Sequence, residues 1–218
     1  MSFTKNKYKV LRKCISKDLT NFLNSYILLK EKVFKIMKRD KYISEFNLDW
    51  GGTKDNQMKD CYVHYGDIAC ETLLSTIKSI LEKEAGTKLV ENYTYGRVYS
   101  KGKKLKRHKD RMSCEISATL NLGGDPWPIY VEPNSLKGFM DSKGKYHSEF
   151  TKGVKIILKP GDLLMYKGCD IEHWRDVFKG QMCNQVFLHY NSLKTSKKLK
   201  VKFDGRESLG LPPPFKKI

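Results

Sequence analysis

"KPGDLLMYKGCDIEHWRDVFKGQMCNQVFLHYN", residues 159–191, holds two strand-length apolar runs joined by a polar connection, and its reading sets the fold. A tight PGD turn closes one strand, LLMY forms the next, a short loop leads to His173, and NQVFLHYN follows as another buried strand. Runs of this length, rich in β-branched and aromatic residues and bounded by Gly, Pro, Asp or Asn, signal strands rather than helices.

The same pattern extends backwards through KLVENYTYGRVYS (88–100), EISATLNLG (115–123), PIYVEP (128–133) and VKIILKPGD (154–162). Before residue 88 the periodicity is helical. Ser16 is placed to cap a helix over 16–39, in which Leu19, Phe22, Leu23, Tyr26, Leu29, Val33, Phe34 and Met37 recur at three- and four-residue steps. A second helix is expected over 67–85, with Leu73, Leu74, Ile77, Ile80 and Leu81 as its stripe and Gly86 ending it. Residues 46–60 between them, with paired glycines, read as a loop. Helices followed by strands predict an α+β domain, with a sandwich or barrel braced on one face. One domain over 1–192 is expected, its helices within 16–85 and its β core within 88–192. The basic, Pro-containing segment 193–218 reads as a C-terminal surface arm.

Composition narrows the classes. A 39% hydrophobic and 30% charged chain of 218 residues folds rather than stays disordered. No apolar run reaches the roughly 20 residues of a membrane span, and MSFTKNKYKVLRK lacks a secretion signal's apolar core. The six cysteines are scattered, with no CxxC, which points to free thiols and a cytoplasmic location. A formal charge of +18 draws anionic partners, whether nucleic acid, acidic protein or a small polycarboxylate, and equally serves as solvated surface.

Within KGKKLKRHKDR (101–111), seven of eleven residues are Lys or Arg and the one acid is Asp110. On a strand, His108 and Asp110 point the same way and Lys109 the other. A lone HxD is more often a surface His beside a balancing charge. His173, brought across by a second pair of strands, supplies the third ligand that the pair lacks. Two His and one carboxylate form a facial triad that leaves half of an octahedral metal site open.

The order of YSKGKKLKRHKD, the PGDLLMY strand and a distal His before a strand resembles the iron(II)- and 2-oxoglutarate-dependent oxygenases, in their prolyl 4-hydroxylase-like branch. HKDRMSCEISATLNLGGDPWPIYVEPN and GCDIEHWRDVFKGQMCNQVFLHYN look most like the small prolyl hydroxylase-like oxygenases of marine bacteriophages. The resemblance covers residues 88–192 and implies a double-stranded β-helix, or jelly roll, braced by the N-terminal helices. It implies iron bound by His108, Asp110 and His173, with 2-oxoglutarate and dioxygen as co-substrates and ascorbate as an accessory reductant. The implied reaction is hydroxylation of prolyl residues in a protein or Pro-rich peptide, with 2-oxoglutarate converted to succinate; a viral origin would place it in host cytoplasm.

Tyr99 and Thr119 occupy places where the family lines its co-substrate pocket. The family's basic residue nine to eleven positions past the distal His is replaced here by Met182, Cys183 and Asn184. Arg175, two residues past His173 and on its face of the strand, is the expected substitute ahead of Lys179, with Gln185 offering an amide. His189 is expected near the pocket, and Trp127 and Trp174 either line a groove or pack. Competing readings are a nucleic-acid-directed oxygenase using the basic stretches 101–111 and 194–202, and a non-catalytic β-sandwich binding module. A basic interaction protein that meets ribosomes or capsids is a third.

Overall fold

Two side chains start the long helices. The Ser16 hydroxyl accepts from the Leu19 N–H at 3.2 Å and the Asp67 carboxylate accepts from the Cys70 N–H at 3.1 Å, each satisfying an orphan donor of a first helical turn. In the computed structural model, which describes residues 2–44, 46–55 and 57–213, the helices run over Lys17–Arg39 and Ile68–Ala85. Gly86 closes the second at φ +68°, a left-handed conformation that glycine adopts without cost. Both helices match the expected limits, but of the expected stripes Leu19, Phe22, Leu29 and Ile80 are exposed, and Ile27, outside the expected stripe, is buried.

In chain order the elements are α1 (Phe3–Asn6), β1 (Tyr8–Leu11), α2 (Lys17–Arg39), β2 (Tyr62–Tyr65), α3 (Ile68–Ala85), β3 (Leu89–Ser100), β4 (Leu105–His108), β5 (Ile116–Gly124) and β6 (Ile129–Glu132). They continue with β7 (Phe139–Met140), β8 (Tyr146–His147), β9 (Val154–Ile156), β10 (Leu163–Tyr166), β11 (Glu172–Arg175), β12 (Met182–Ser192) and α4 (Leu193–Leu199). The fold is α+β and the sheets are antiparallel. One has the order β1-β10-β5-β12-β3-β2, the other β4-β11-β6-β9, and β7 pairs with β8 alone.

Strand alternation gives the larger sheet two unlike faces. One face of β5, β10 and β12, carrying Ile116, Ala118, Leu120, Leu163, Met165, Val186 and Leu188, packs with Leu23, Ile27 and Phe34 of α2 and Leu73, Leu74, Ile77 and Leu81 of α3. Each Val, Leu, Ile, Phe or Met side chain among them, fully buried, contributes about 1.5–3 kcal/mol. The other face meets the smaller sheet: Leu164 and Tyr166 cluster with Ile129 and Val131, and Tyr99 and Cys183 with Trp127 and Phe178. That inner face also buries Arg97, Ser117, Thr119, Asn121, Gln185 and His189. A polar interior between two sheets is costly to desolvate.

Three findings depart from the sequence reading. Strands β1 and β2, short edge strands of four residues, precede residue 88, where strands were expected to begin, and add the outer members of the larger sheet. Strand β4 stops at His108, so Asp110 sits in the turn beyond it rather than on the strand. Residues 193–213 are no free arm: they begin with α4 and return to the body, where the buried Arg206 guanidinium donates to Glu71 Oε1 at 2.7 Å and Oε2 at 3.2 Å. A buried guanidinium with its carboxylate fixes a chain segment in a way that a Lys- and Pro-rich composition does not reveal. The tail's last residues, 214–218, which include part of LPPPF, fall outside the described residues. No helix among the described residues is long and apolar enough to cross a membrane.

Candidate metal centre

His173 and His108 are cross-strand partners in the β11–β4 pairing. Their ring centroids are 4.2 Å apart. Asp110 reaches the same point from the turn after β4, with Oδ1 3.4 Å from His173 Nε2 and 3.6 Å from His108 Nε2. Donor atoms of all three residues lie within 4.8 Å of one another, a spacing that suits a single metal ion.

Both imidazoles are held by their Nδ1 atoms. His108 Nδ1 meets the Lys106 carbonyl at 2.8 Å and His173 Nδ1 meets the Ile171 carbonyl at 3.3 Å. A carbonyl only accepts, so each Nδ1 carries the proton and each Nε2 keeps its lone pair for a metal. Burial, helped by the neighbouring His173, lowers the His108 pKa to about 4, which keeps its ring neutral. Burial alone would raise the Asp110 carboxyl, but the His173, His108 and His189 rings hold it well below the usual carboxylate range.

The second Asp110 oxygen has its own support, which sequence reading missed. Ser117 Oγ donates to Asp110 Oδ2 at 2.7 Å and lies 3.0 Å from His189 Nδ1. Its one proton is committed to an acceptor-only carboxylate, so His189 Nδ1 must donate to the hydroxyl oxygen. A directed chain therefore runs from His189 through Ser117 to Asp110. Gly168 makes room for it: a Cβ there would lie 2.4 Å from Asp110 Oδ2 and 2.6 Å from Ser117 Oγ, while the Gly168 carbonyl accepts from the Asp110 N–H at 2.8 Å.

The three donors open into a cavity of about 390 Å³ that is also lined by Tyr93, Tyr95, Arg97, Arg111 and His189. Arg97 is buried and donates to Asp55 Oδ2 at 2.6 Å and Gln57 Oε1 at 3.0 Å, which ties Asp55 and Gln57 to β3 at the cavity wall. The available sequence signal was the spacing of Tyr93, Tyr95, Arg97 and Tyr99 at every second position of β3, one inward row with a single cation among aromatics.

Arg175 is fully buried on the inward face of β11. It donates to the Trp127 carbonyl and, at 2.6 Å, to Gln185 Oε1, and burial lowers its pKa. Its Nε, Tyr99 Oη and Thr119 Oγ1 are buried without hydrogen-bond partners. The Tyr99 ring centroid is 4.8 Å from that of Trp127, over which Arg175 lies at 5.0 Å. Trp127 and Trp174 do not border the metal cavity, and neither do Arg175, Tyr99, Thr119 and Gln185: Trp127 packs against Tyr99 and Phe178, and Trp174 stacks between Tyr130 and Arg107. His64 and His147 pair with Asp67 and Asp141, away from the centre.

Comparison with solved structures gives the architecture its relatives. The chain is similar to a Pseudomonas putida prolyl-4-hydroxylase, at a TM-score of 0.52 and 12% identity over 87% of this chain and 95% of that one. It is similar to a Trichoplax adhaerens prolyl hydroxylase in complex with a hypoxia inducible factor peptide fragment, at 0.56 and 14% over 92% and 90%. It is also similar to EctD from S. alaskensis with bound Fe, at 0.58 and 12% over 89% and 75%. The fold is the one that these solved structures share. At such low identity the likeness is one of fold, and EctD, also solved with 2-oxoglutarate and 5-hydroxyectoine, shows that the oxygenase fold is not confined to prolyl hydroxylases. No protein-family model and no curated protein matches the sequence.

Proposed function

We propose that the chain is an iron(II)- and 2-oxoglutarate-dependent dioxygenase that hydroxylates prolyl residues in a protein or peptide, built on a double-stranded β-helix. The observation that carries this reading is the convergence of His108, Asp110 and His173 from two strands and a turn. Two imidazoles and one carboxylate suit a ferrous ion and leave coordination positions for the co-substrates.

The residues behind the centre fit a dicarboxylate. A buried guanidinium with no acidic partner costs free energy that an incoming carboxylate offsets, and Arg175 has only neutral acceptors, Trp127 O and Gln185 Oε1. The Tyr99 and Thr119 hydroxyls, buried without a well-formed hydrogen bond among the described residues, can donate to the same anion. Arg175, Tyr99 and Thr119 would hold the far carboxylate of 2-oxoglutarate, with Gln185 orienting the guanidinium from behind.

When bound, iron would supply the site at which dioxygen is the oxidant and 2-oxoglutarate the co-reductant, one oxygen atom going into an unactivated C–H bond and the other into succinate, with release of carbon dioxide. The chain's own work is positional. His108 and His173 present Nε2 atoms, and Ser117 turns Asp110 so that Oδ1 faces them. The prolyl assignment is supported by the motif order in residues 88–192 and by two prolyl hydroxylases among the similar folds.

The test is incubation of the iron-loaded protein with Pro-rich peptides and 2-oxoglutarate, followed by mass spectrometry and succinate assay. A one-oxygen gain on proline matched by succinate is the expected result. Succinate released without any proline oxidation across such peptides would remove the prolyl assignment, and no binding of iron at all would remove the enzyme reading.

A further inference from the structure

The C-terminal segment reaches the metal centre through one side chain. Asp204 accepts a two-pronged contact from Arg111, with Nη1 at 2.7 Å from Oδ1 and Nη2 at 2.6 Å from Oδ2. Arg111 is the residue after the ligand Asp110, lies over the Tyr93 ring at 4.7 Å and lines the metal cavity. Its Nη1 also donates to Ser113 Oγ at 2.9 Å, within the 112–114 turn that follows Asp110. Tyr65, another cavity residue, donates its hydroxyl to Asp204 Oδ2 at 2.8 Å.

The backbone around Asp204 is arranged for this contact. Phe203, Asp204 and Gly205 have φ of +53°, +58° and +82° in succession. Left-handed conformations at non-glycine residues cost free energy and persist where surrounding contacts over-determine them. The restraint on the far side is the buried Arg206–Glu71 pair, to which Arg206 adds a donation to the Asn92 carbonyl at 2.9 Å. The segment is thus anchored at Arg206 and presents Asp204 to the turn bearing Asp110.

We infer that Asp204 is a positioning residue for the metal centre, holding the Asp110 turn in place through its fork with Arg111, so that the C-terminal segment is part of the site. The inference rests on the metal-centre reading above and goes beyond it by giving residues 202–210 a role in the chemistry. Planar two-point contact between guanidinium and carboxylate fixes orientation as well as distance, which a single lysine contact would not do.

The experiment titrates the full-length, metal-free protein with Co(II) alone and follows its visible d–d absorption. Asp204→Asn removes the charge while keeping a residue that tolerates left-handed φ. The expected result is Co(II) binding weakened by about tenfold, at the low end of the effect of outer-shell partners on metal affinity, with a shifted band. Arg111→Lys, which keeps the cation and loses the fork, is expected to show the same loss, and it carries the test should the first variant fail to fold. In an Arg111→Ala background Asp204→Asn should add nothing, since the two act as one unit. Wild-type affinity and spectrum in Asp204→Asn or in Arg111→Lys would overturn the inference, as would full additivity in the double variant. Failure of the wild type to bind Co(II) is a separate result that overturns the metal-centre reading itself.

Discussion

His108 and His173 stand opposite each other on antiparallel strands, and their ring centroids are 4.2 Å apart. The register is the cause: a one-residue slip of β11 would turn His173 to the outer face and bring Trp174 inward. Replacing His173 by Ala leaves two ligands of three. Iron content after anaerobic loading, measured by elemental mass spectrometry, should fall by more than the roughly 10–100-fold that outer-shell changes produce. Retention of wild-type iron content would refute the assigned ligand set.

Ser117→Ala tests the chain that orients Asp110. The variant removes the 2.7 Å donor to Oδ2 and leaves His189 Nδ1–H without its acceptor. Metal affinity should drop about 10–100-fold with the fold intact by circular dichroism. The His189 ring should change its tautomer balance in nitrogen-resolved NMR spectra of the metal-free protein, an effect that simple loss of packing does not produce.

Gly168→Ala places a methyl group 2.4 Å from Asp110 Oδ2 and 2.4 Å from the Cys114 carbonyl. One of those neighbours must move, and the carboxylate is the one with rotatable bonds. The expected outcome is weaker metal binding together with destabilisation of about 1–3 kcal/mol, the usual cost of overpacking, read by urea unfolding. An unperturbed metal centre in this variant would show that Asp110 is not held where the structure puts it.

Arg175→Met separates co-substrate binding from stability. The substitution removes a buried cation but orphans the Trp127 carbonyl and Gln185 Oε1, so the two effects oppose and the melting temperature without ligand should change little. Saturating 2-oxoglutarate at about 100 times its dissociation constant stabilises a binding-competent protein by about 2.7 kcal/mol. That increment should vanish in Arg175→Met and persist in Lys179→Met. A persisting increment in Arg175→Met would move the dicarboxylate site elsewhere.

Acid should destabilise the metal-free protein through its buried histidines. Burial lowers His189 to about 4, and burial with the His173 contact lowers His108 to about 4, against an unfolded value of about 6.5. The unfolded chain then binds more protons between these limits, so stability is full above about pH 6.5 and declines as pH falls towards 4. His189→Gln, whose amide can still donate to Ser117, should flatten about half of that slope in thermal melts recorded with chelator, one of two such histidines being removed. A slope unchanged by the substitution would mean that His189 titrates normally.

Much of the architecture was readable in the chain, and the reason is local. Helices α2 and α3 carry caps and stripes within their own sequence, at Ser16, Asp67 and Gly86, so their limits follow from nearest-neighbour chemistry. The long strands β3, β5 and β12 announce themselves by composition. Strands β1 and β2 do not, because four residues are too few to show a period and their pairing is decided by β10 and β3. Neither Asp55 nor Asp204 could be linked to an arginine by reading, since each partnership joins segments whose distance in space depends on the finished sheets.

The sequence by itself determined which ligands exist: two imidazoles and a carboxylate in a fixed order, on or beside strands whose side-chain period dictates the inward face. Only the tertiary structure decided that they meet, because convergence depends on the β4–β11 register and on the turn that takes Asp110 off its strand. It also decided what surrounds them, namely Ser117 and His189 behind the carboxylate, Arg175 buried among neutral acceptors, and Asp204 paired with Arg111. Those contacts are long-range pairings made favourable by burial between two sheets, and no local stretch of chain contains the free energy that selects them.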